Sequence, residues 1–359
     1  MKVVISAGGT GGHIYPALAI IEKIKKEEPD SEFLYIGTTN RMEKDIIPKK
    51  GIPYFGIEIY GLKRKLTLSN FKSISKFISS ISKCKKEIKK FNPDIVIGAG
   101  GYVTAPVIYA AKKCKYKTLV HEQNSILGLS NKMLLKYTDT LCTSFEKMKP
   151  SSVNYVYTGN PCTENAIKVK AFNKEDFGLD KDKKTVLIVM GSLGSSTINK
   201  VLLESLDKFY SKEYQVLIVT GKNYYESYKK IIKNKNVIIK PYIDELIGAI
   251  KFTDVLVTRA GATTLAEILG SKVPSILIPS PYVTENHQYK NAMSLVSKNA
   301  ALLIEEENLT VDRLIKQIDY LIEDKNKYKE IKNNLGKMQI SDSLDRIYKE
   351  IVKLTNNTK

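Results

Sequence analysis

Apolar residues in this chain fall into short continuous runs, separated by stretches where they recur every three or four positions. The runs lie near 3–7, 33–36, 94–98, 118–120 and 140–143, and Val and Ile dominate them. Such runs read as strands buried on both faces. Between them the longer period predicts helices near 15–27, 40–48, 70–91, 104–113 and 127–136. This alternation implies a parallel sheet wrapped by helices. A second start follows at Thr185, where TVLIVMGSLGSSTINKVLLESL repeats the strand, glycine loop and helix of the opening. Strands are then predicted near 215–220, 236–239, 254–257 and 275–278. The charged stretch Phe172 to Lys184 reads as a connection, and the tail from Thr310 reads as helical and lysine-rich. The expected fold is α/β, with two Rossmann-like parallel-sheet domains facing across a cleft. Their expected bounds are 1–160 and 161–359, the last helix being placed to pack back on the first domain.

Composition narrows this picture without changing it. At 359 residues the chain has room for two cores, and 43% hydrophobic with 26% charged residues describes an ordinary globular protein. No apolar run approaches the ~20 residues that span a bilayer, and the start lacks the order of a signal peptide. Cys84, Cys114, Cys142 and Cys162 are widely spaced and form no CxxC, which reads as reduced thiols in a cytoplasmic protein. The net charge of +19 has a local source: between Lys63 and Lys90 stand ten basic residues and one acid, Glu87. Leu66, Leu68, Phe71, Ile74, Phe77, Ile78 and Ile81 recur there at helical spacing among Lys72, Lys76, Lys83, Lys85 and Lys86. That pattern serves a core face or a basic amphipathic surface resting on anionic lipid. A nucleic-acid reading lacks an aromatic-interleaved RNP pattern, a helix-turn-helix or a zinc knuckle.

Candidate chemistry concentrates where strands end. After Val3, Val4 and Ile5 come Gly8, Gly9, Gly11 and Gly12, then His13 at a helix start. Strand, glycine loop and helix N-terminus together form a site for a phosphate-like group. A dinucleotide fingerprint beginning at Gly9 fails, because Ile14 stands where its last glycine belongs and Gly37-Thr38-Thr39 offers no acid to a ribose. Gly98-Ala99-Gly100-Gly101, with Thr104 near the turn, repeats the arrangement. Two such loops suit a pyrophosphate, or one ligand touching both; a pair of structural turns is the plainer alternative. His121-Glu122-Gln123-Asn124 closes another strand with four polar side chains, which suits a cleft better than a core. Asn124 suits a sugar hydroxyl or an Asx turn.

In the second half, RAGATTLAEIL follows the strand Asp254–Thr258. Gly261 permits close approach, and Glu267 on that helix suits a ribose diol while the N-terminus faces a diphosphate. Pro279 to Asn291 forms a polar loop containing Gln288. GxSxG, P-loop and HExxH motifs are absent from the sequence, leaving hydrolase and kinase readings without support. Asp180-Lys181-Asp182 reads as a solvated turn, so a metal-bound nucleotide sugar is not indicated.

SAGGTGGHIYPALA, GAGGYVTAP, HEQNSILGLSN, TGNP, RAGATTLAE and NHQYKNA, in that order, closely resemble the bacterial MurG family of N-acetylglucosaminyltransferases. The resemblance spans nearly the whole chain. It implies a GT-B fold and inverting transfer from UDP-N-acetylglucosamine to lipid I, giving lipid II in peptidoglycan synthesis. It also implies no cofactor or metal, and peripheral attachment to the cytoplasmic face of the cell membrane at its anionic inner leaflet. The first domain would take the acceptor and the membrane, the second the UDP-sugar. By position, donor contacts are implied at Thr10, Gly11, Gly12, Asn124, Thr163, Ser192, Ile243, Ala262, Thr263, Thr264, Leu265, Ala266, Glu267 and Gln288. His13 matches the family's proposed general base. The acceptor diphosphate is assigned to Gly9, Gly100, Gly101, Tyr102, Thr104, His121 and Glu122. Two departures stand out: Cys162-Thr163 where the family commonly has Val-Arg, and MGSLGS for GGSQGA, with Leu193 replacing Gln.

Two other readings compete. A related lipid glycosyltransferase, such as a diacylglycerol glucosyltransferase, shares the fold but needs no second glycine loop for a diphosphate. A basic membrane-surface or nucleic-acid module accounts for the charge and leaves the ordered motifs without a purpose.

Overall fold

The structure is a computed structural model describing residues 1–60, 68–146, 152–190, 195–232 and 234–356, with the side chains of 68–74 outside it. The chain divides into two compact units. One is Met1–Glu164 together with Asp342–Lys359, the other Asn165–Ser341.

The first unit holds β1 (Lys2–Ser6), β2 (Glu32–Thr38), β3 (Tyr54–Ile57), β4 (Ile95–Gly98), β5 (Lys117–Glu122), β6 (Thr140–Thr143) and β7 (Asn154–Tyr157). They form one parallel sheet in the order β3-β2-β1-β4-β5-β6-β7. Side chains alternate across it. Val3 and Ile5 pack on one face with Ala17, Ile20 and Ile24, and with Leu344, Ile347 and Ile351 from the helix Ser343–Asn356. Val4, Ile36 and Val96 pack on the other with Cys84, Ile88, Val107 and Ile108. Both faces are covered, so the strands carry continuous apolar runs rather than a period of two.

The second unit repeats the plan with β8 (Thr185–Val189), β9 (Gln215–Val219), β10 (Val237–Lys240), β11 (Val255–Thr258), β12 (Ser275–Leu277) and β13 (Leu302–Leu303). Their order is β10-β9-β8-β11-β12-β13, again parallel. In each sheet the order reverses beside the first strand, between β1 and β4 and between β8 and β11. Crevices at such reversals are where open α/β sheets bind ligands. Both glycine loops of the first unit lie at its reversal, and the Arg259–Gly261 turn lies at the other.

Several expectations need correction. Strands β3, β7 and β13 were not predicted. The first helix starts at Gly11 rather than 15, which puts His13 in its first turn. Phe172 to Lys184 is not a bare connection: Phe172 stacks on Phe177, which meets Phe252, and Leu179 is buried. In the helix Leu68–Phe91, Phe77 and Ile81 pack against the core and Cys84 and Ile88 are fully buried, so from 77 onward the apolar spacing serves the core. Ile78 departs from that face and is 63% exposed. Lys76 pairs with Glu58 at 2.5 Å. Lys63, Lys65 and Leu66 fall outside the described residues. Among the described residues no helix is long and apolar enough to cross a membrane.

Candidate functional site

In the first unit the two glycine loops touch each other. Gly8 N–H donates to the Gly100 carbonyl at 3.3 Å, and Ala99 N–H to the Ser6 carbonyl at 2.8 Å. A Cβ on Gly101, whose φ is +85°, would stand 2.4 Å from the Gly8 carbonyl oxygen. Thr104, fully buried, donates its hydroxyl to the Gly100 carbonyl at 2.9 Å. Gly101 therefore gives room to the backbone of the first glycine loop, so the two loops can pack directly on each other. Thr10 is exposed at the start of the helix Gly11–Glu27, which carries no acid in its first turn.

His13 is half-buried in that first turn. Its Nδ1 lies 3.0 Å from the Gly8 carbonyl oxygen. A carbonyl only accepts, so in the neutral ring Nδ1 carries the proton and Nε2 is left as the acceptor. The ring edge fills the place of a side chain at Gly100, where a Cβ would lie 2.5 Å from His13 Cδ2.

His121, Glu122 and Gln123 lie beneath the loops rather than on them. His121 is fully buried; its Nε2 donates to the Gly159 carbonyl at 3.1 Å, and its Nδ1 accepts from Gln123 Nε2 at 3.1 Å. Burial holds this imidazole down at about 4, so it is neutral. Glu122 clasps the following loop. It accepts from Asn124 N–H and Nδ2, from Gly128 N–H and from Asn131 Nδ2, at 2.8–3.1 Å. Through these bonds His121 and Glu122 brace the turn that follows β5. Asn124 sits half-exposed in the turn that Glu122 closes. Thr163 is buried, its N–H donating to the Asn160 carbonyl at 2.9 Å.

Sequence reasoning missed Glu43. It is fully buried, and its carboxylate accepts from Gly9 N–H at 3.1 Å, Thr38 N–H at 3.1 Å and Thr38 Oγ1 at 2.7 Å. The Gly9 amide, expected to face the acceptor diphosphate, is therefore already engaged. Tyr35 and Tyr54 flank the carboxylate; burial, then its charge, pushes both phenols up. Nearby, Arg41 donates to the Tyr102 hydroxyl at 3.4 Å, bringing a guanidinium beside the second glycine loop. Glycine at 37 leaves room for Glu43, since a Cβ there would meet its Cγ at 2.8 Å.

In the second unit, Gly261 leads into the helix Ala262–Ser271, with no acid in the first turn and no side-chain cap. Leu265 and Ala266 are buried toward the core. Thr263, Thr264 and Glu267 are half-buried. No described residue donates to the Glu267 carboxylate, and burial pushes it up to about 7. Arg259 fixes the turn: its guanidinium donates to the Ile278 carbonyl at 3.0 Å and pairs with Glu306 at 2.6 Å. Asn291 Nδ2 holds the Ala260 carbonyl at 3.2 Å. Gln288 Oε1 accepts from Ser280 N–H at 2.9 Å, leaving its amide hydrogens for another partner. Ile243 is buried after β10. Ser192 and Leu193 lie outside the described residues. Among the described residues no group of three or more His, Cys, Asp or Glu is arranged to hold a metal ion.

These features fit what the chain is similar to. The glycosyltransferase family 28 N-terminal domain matches residues 3–143, and the family 28 C-terminal domain matches 185–347. A UDP-N-acetylglucosamine–N-acetylmuramyl-(pentapeptide) pyrophosphoryl-undecaprenol N-acetylglucosamine transferase of Bacillus licheniformis is 43% identical over 366 residues, covering 100% of both chains. A protein of the same name, numbered 1, from Bacillus anthracis is 45% identical over 362 residues, covering 99% of each. The crystal structure of Acinetobacter baumannii MurG superposes with a TM-score of 0.77 at 25% identity, covering 98% of this chain and 99% of that one. The UDP co-structure of S. aureus MnaA, at 16% identity and a TM-score of 0.71 over 99% and 97% of the two chains, shares the fold. With two parallel-sheet halves consistent with GT-B and full-length identity to those transferases, the chain belongs to the MurG family within glycosyltransferase family 28.

Proposed function

We propose that this chain transfers N-acetylglucosamine from UDP-N-acetylglucosamine to the 4-hydroxyl of undecaprenyl-diphosphate-N-acetylmuramoyl-pentapeptide, with inversion. The observation that carries the reading is 43% identity, end to end, with a protein named for that transfer. The hydroxyl oxygen attacks the anomeric carbon in line as the bond to UDP breaks, and His13 Nε2 takes the proton. Nδ1–H on the Gly8 carbonyl supports this assignment, since it makes Nε2 the basic nitrogen of the neutral ring. UDP departs with its charge at the N-terminus of the helix Ala262–Ser271, its ribose diol held by Glu267 and its base near Ile243. Gln288 offers its amide hydrogens to the sugar. Thr10, Gly11, Gly12 and Asn124 are further donor contacts in this reading. The acceptor diphosphate lies at Gly100, Gly101 and Tyr102, with Arg41 added.

Purified protein, labelled UDP-N-acetylglucosamine and a short-chain acceptor carrying the diphosphate give a disaccharide-lipid product, with chelator making no difference. A diacylglycerol as the preferred acceptor would refute the assignment.

The same reading puts the protein on the inner face of the cell membrane. Ile78, 63% exposed, lies in the lysine-rich helix Leu68–Phe91 and supports contact with lipid. Each Lys or Arg near an anionic surface adds ~1 kcal/mol. Sedimentation with anionic vesicles, and not with neutral ones, is therefore expected. Charge reversal at Lys83, Lys85 and Lys86 together should abolish it; unchanged sedimentation removes this surface from consideration.

A further inference from the structure

We infer that Glu43 is a positioning residue for His13, acting through the single peptide group that joins Gly8 to Gly9. This inference rests on the transfer reaction proposed above, in which His13 is the base. Glu43 is 0% exposed and has no cation among its hydrogen-bond partners. A buried carboxylate costs several kcal/mol unless its oxygens are met by donors. Here Oε1 takes both donors of Thr38 and Oε2 takes Gly9 N–H at 3.1 Å. The chain leaves room for it twice, since a Cβ on Gly8 would stand 2.4 Å from Oε1 and one on Gly37 2.8 Å from Cγ.

A trans peptide is planar, and its N–H and C=O point in opposite directions. Fixing Gly9 N–H on Glu43 therefore aims the Gly8 carbonyl away from Glu43, toward His13 Nδ1 at 3.0 Å. Glu43 and His13 grip opposite edges of one plane. A negative charge on the N–H edge also polarises the carbonyl, making it a stronger acceptor for Nδ1–H. The arrangement resembles a carboxylate–histidine pair with one peptide inserted. It fixes the tautomer that leaves Nε2 able to take a proton, and it supports the charge the ring then bears.

Glu43→Gln separates this role from simple packing. All three partners of the carboxylate are donors, so an amide satisfies Thr38 only by turning its NH₂ toward Gly9 N–H. The peptide is then released. The chain has three histidines, His13, His121 and His287, so ¹⁵N spectra of the rings resolve into three assignable patterns. In the wild type without substrate, His13 shows the Nδ1–H form. In Glu43→Gln it shifts toward the Nε2–H form. The kcat falls about ten-fold or more, part of the ~10²–10⁴ that positioned proton transfer supplies, while KM for UDP-N-acetylglucosamine holds. Thr38→Ala removes a different donor from the same carboxylate and keeps the wild-type tautomer and kcat. A folded Glu43→Gln protein with the wild-type ring spectrum and kcat overturns the inference. So does Thr38→Ala matching its losses. Should Glu43→Gln fail to fold, Glu43→Asp keeps the charge, shortens the reach and is read the same way. Absence of transfer by the wild type refutes the activity alone, because the ring spectra need no substrate.

Discussion

Alanine at His13 lowers kcat by about 10²–10⁴-fold, the range that a positioned base contributes, and leaves UDP affinity within about two-fold. The first figure follows from the ring's geometry: Nδ1 is bound to the Gly8 carbonyl, and Nε2 is the nitrogen left to accept. The second follows from place, because the nucleotide contacts proposed here are carried by the second unit. Steady-state kinetics and calorimetry with UDP check the two halves. Full activity in the variant ends the assignment of the base. A large loss of UDP affinity would instead make His13 a donor-binding group.

Glu267→Ala should do the reverse, weakening UDP by about ten- to a hundred-fold, as expected for the ~1.5–3 kcal/mol of hydrogen bonds to a charged group. An unchanged dissociation constant removes its ribose role. This carboxylate has a second signature. Burial pushes it up to about 7 from an ordinary value of 4.5. Between those values the folded state keeps a proton that the unfolded state has released. Stability therefore falls as pH rises through that window, and the deficit is fully present above it. Glu267→Gln should raise the melting temperature of the unliganded protein at about pH 8, with the difference closing toward about pH 4.5. UDP affinity of the wild type should rise over the upper part of that window, because only the ionised group accepts both hydroxyls freely. A melting difference that does not depend on pH would show that Glu267 is not the group being titrated.

The interior strands were legible because they are buried on both faces and carry unbroken apolar runs. Strands β1, β4, β8 and β11, whose ends carry the site, are of this kind. The missed strands are β3, β7 and β13, all at sheet edges. Tyr54–Ile57 and Asn154–Tyr157 are mostly half-exposed, and Leu302–Leu303 has two residues, so none leaves a periodic trace. The site divides in a similar way. Glycine loops, His13 and the RAGATTLAE turn could be read directly, because their chemistry depends on local order. Glu43 could not. In RMEKD it looks like a surface acid at a helix start, and only pairing between β1 and β2 turns it inward beneath Gly9. The bracing of the turn by His121 and Glu122 was not legible either, because a polar strand end has the same composition whether it faces a crevice or holds the turn beside it.

The helix Ser343–Asn356 belongs to the first unit, with Leu344, Ile347 and Ile351 in its core and Ser343 donating to the Asn160 carbonyl at 3.1 Å. During synthesis, then, Asn165–Ser341 has every residue it needs before Met1–Glu164 does. The half that starts first is finished last. Without Ser343–Asn356, Ile20 and Ile24 lack their cover, so a chain cut after residue 341 has every residue of one half and leaves the other with an open apolar face.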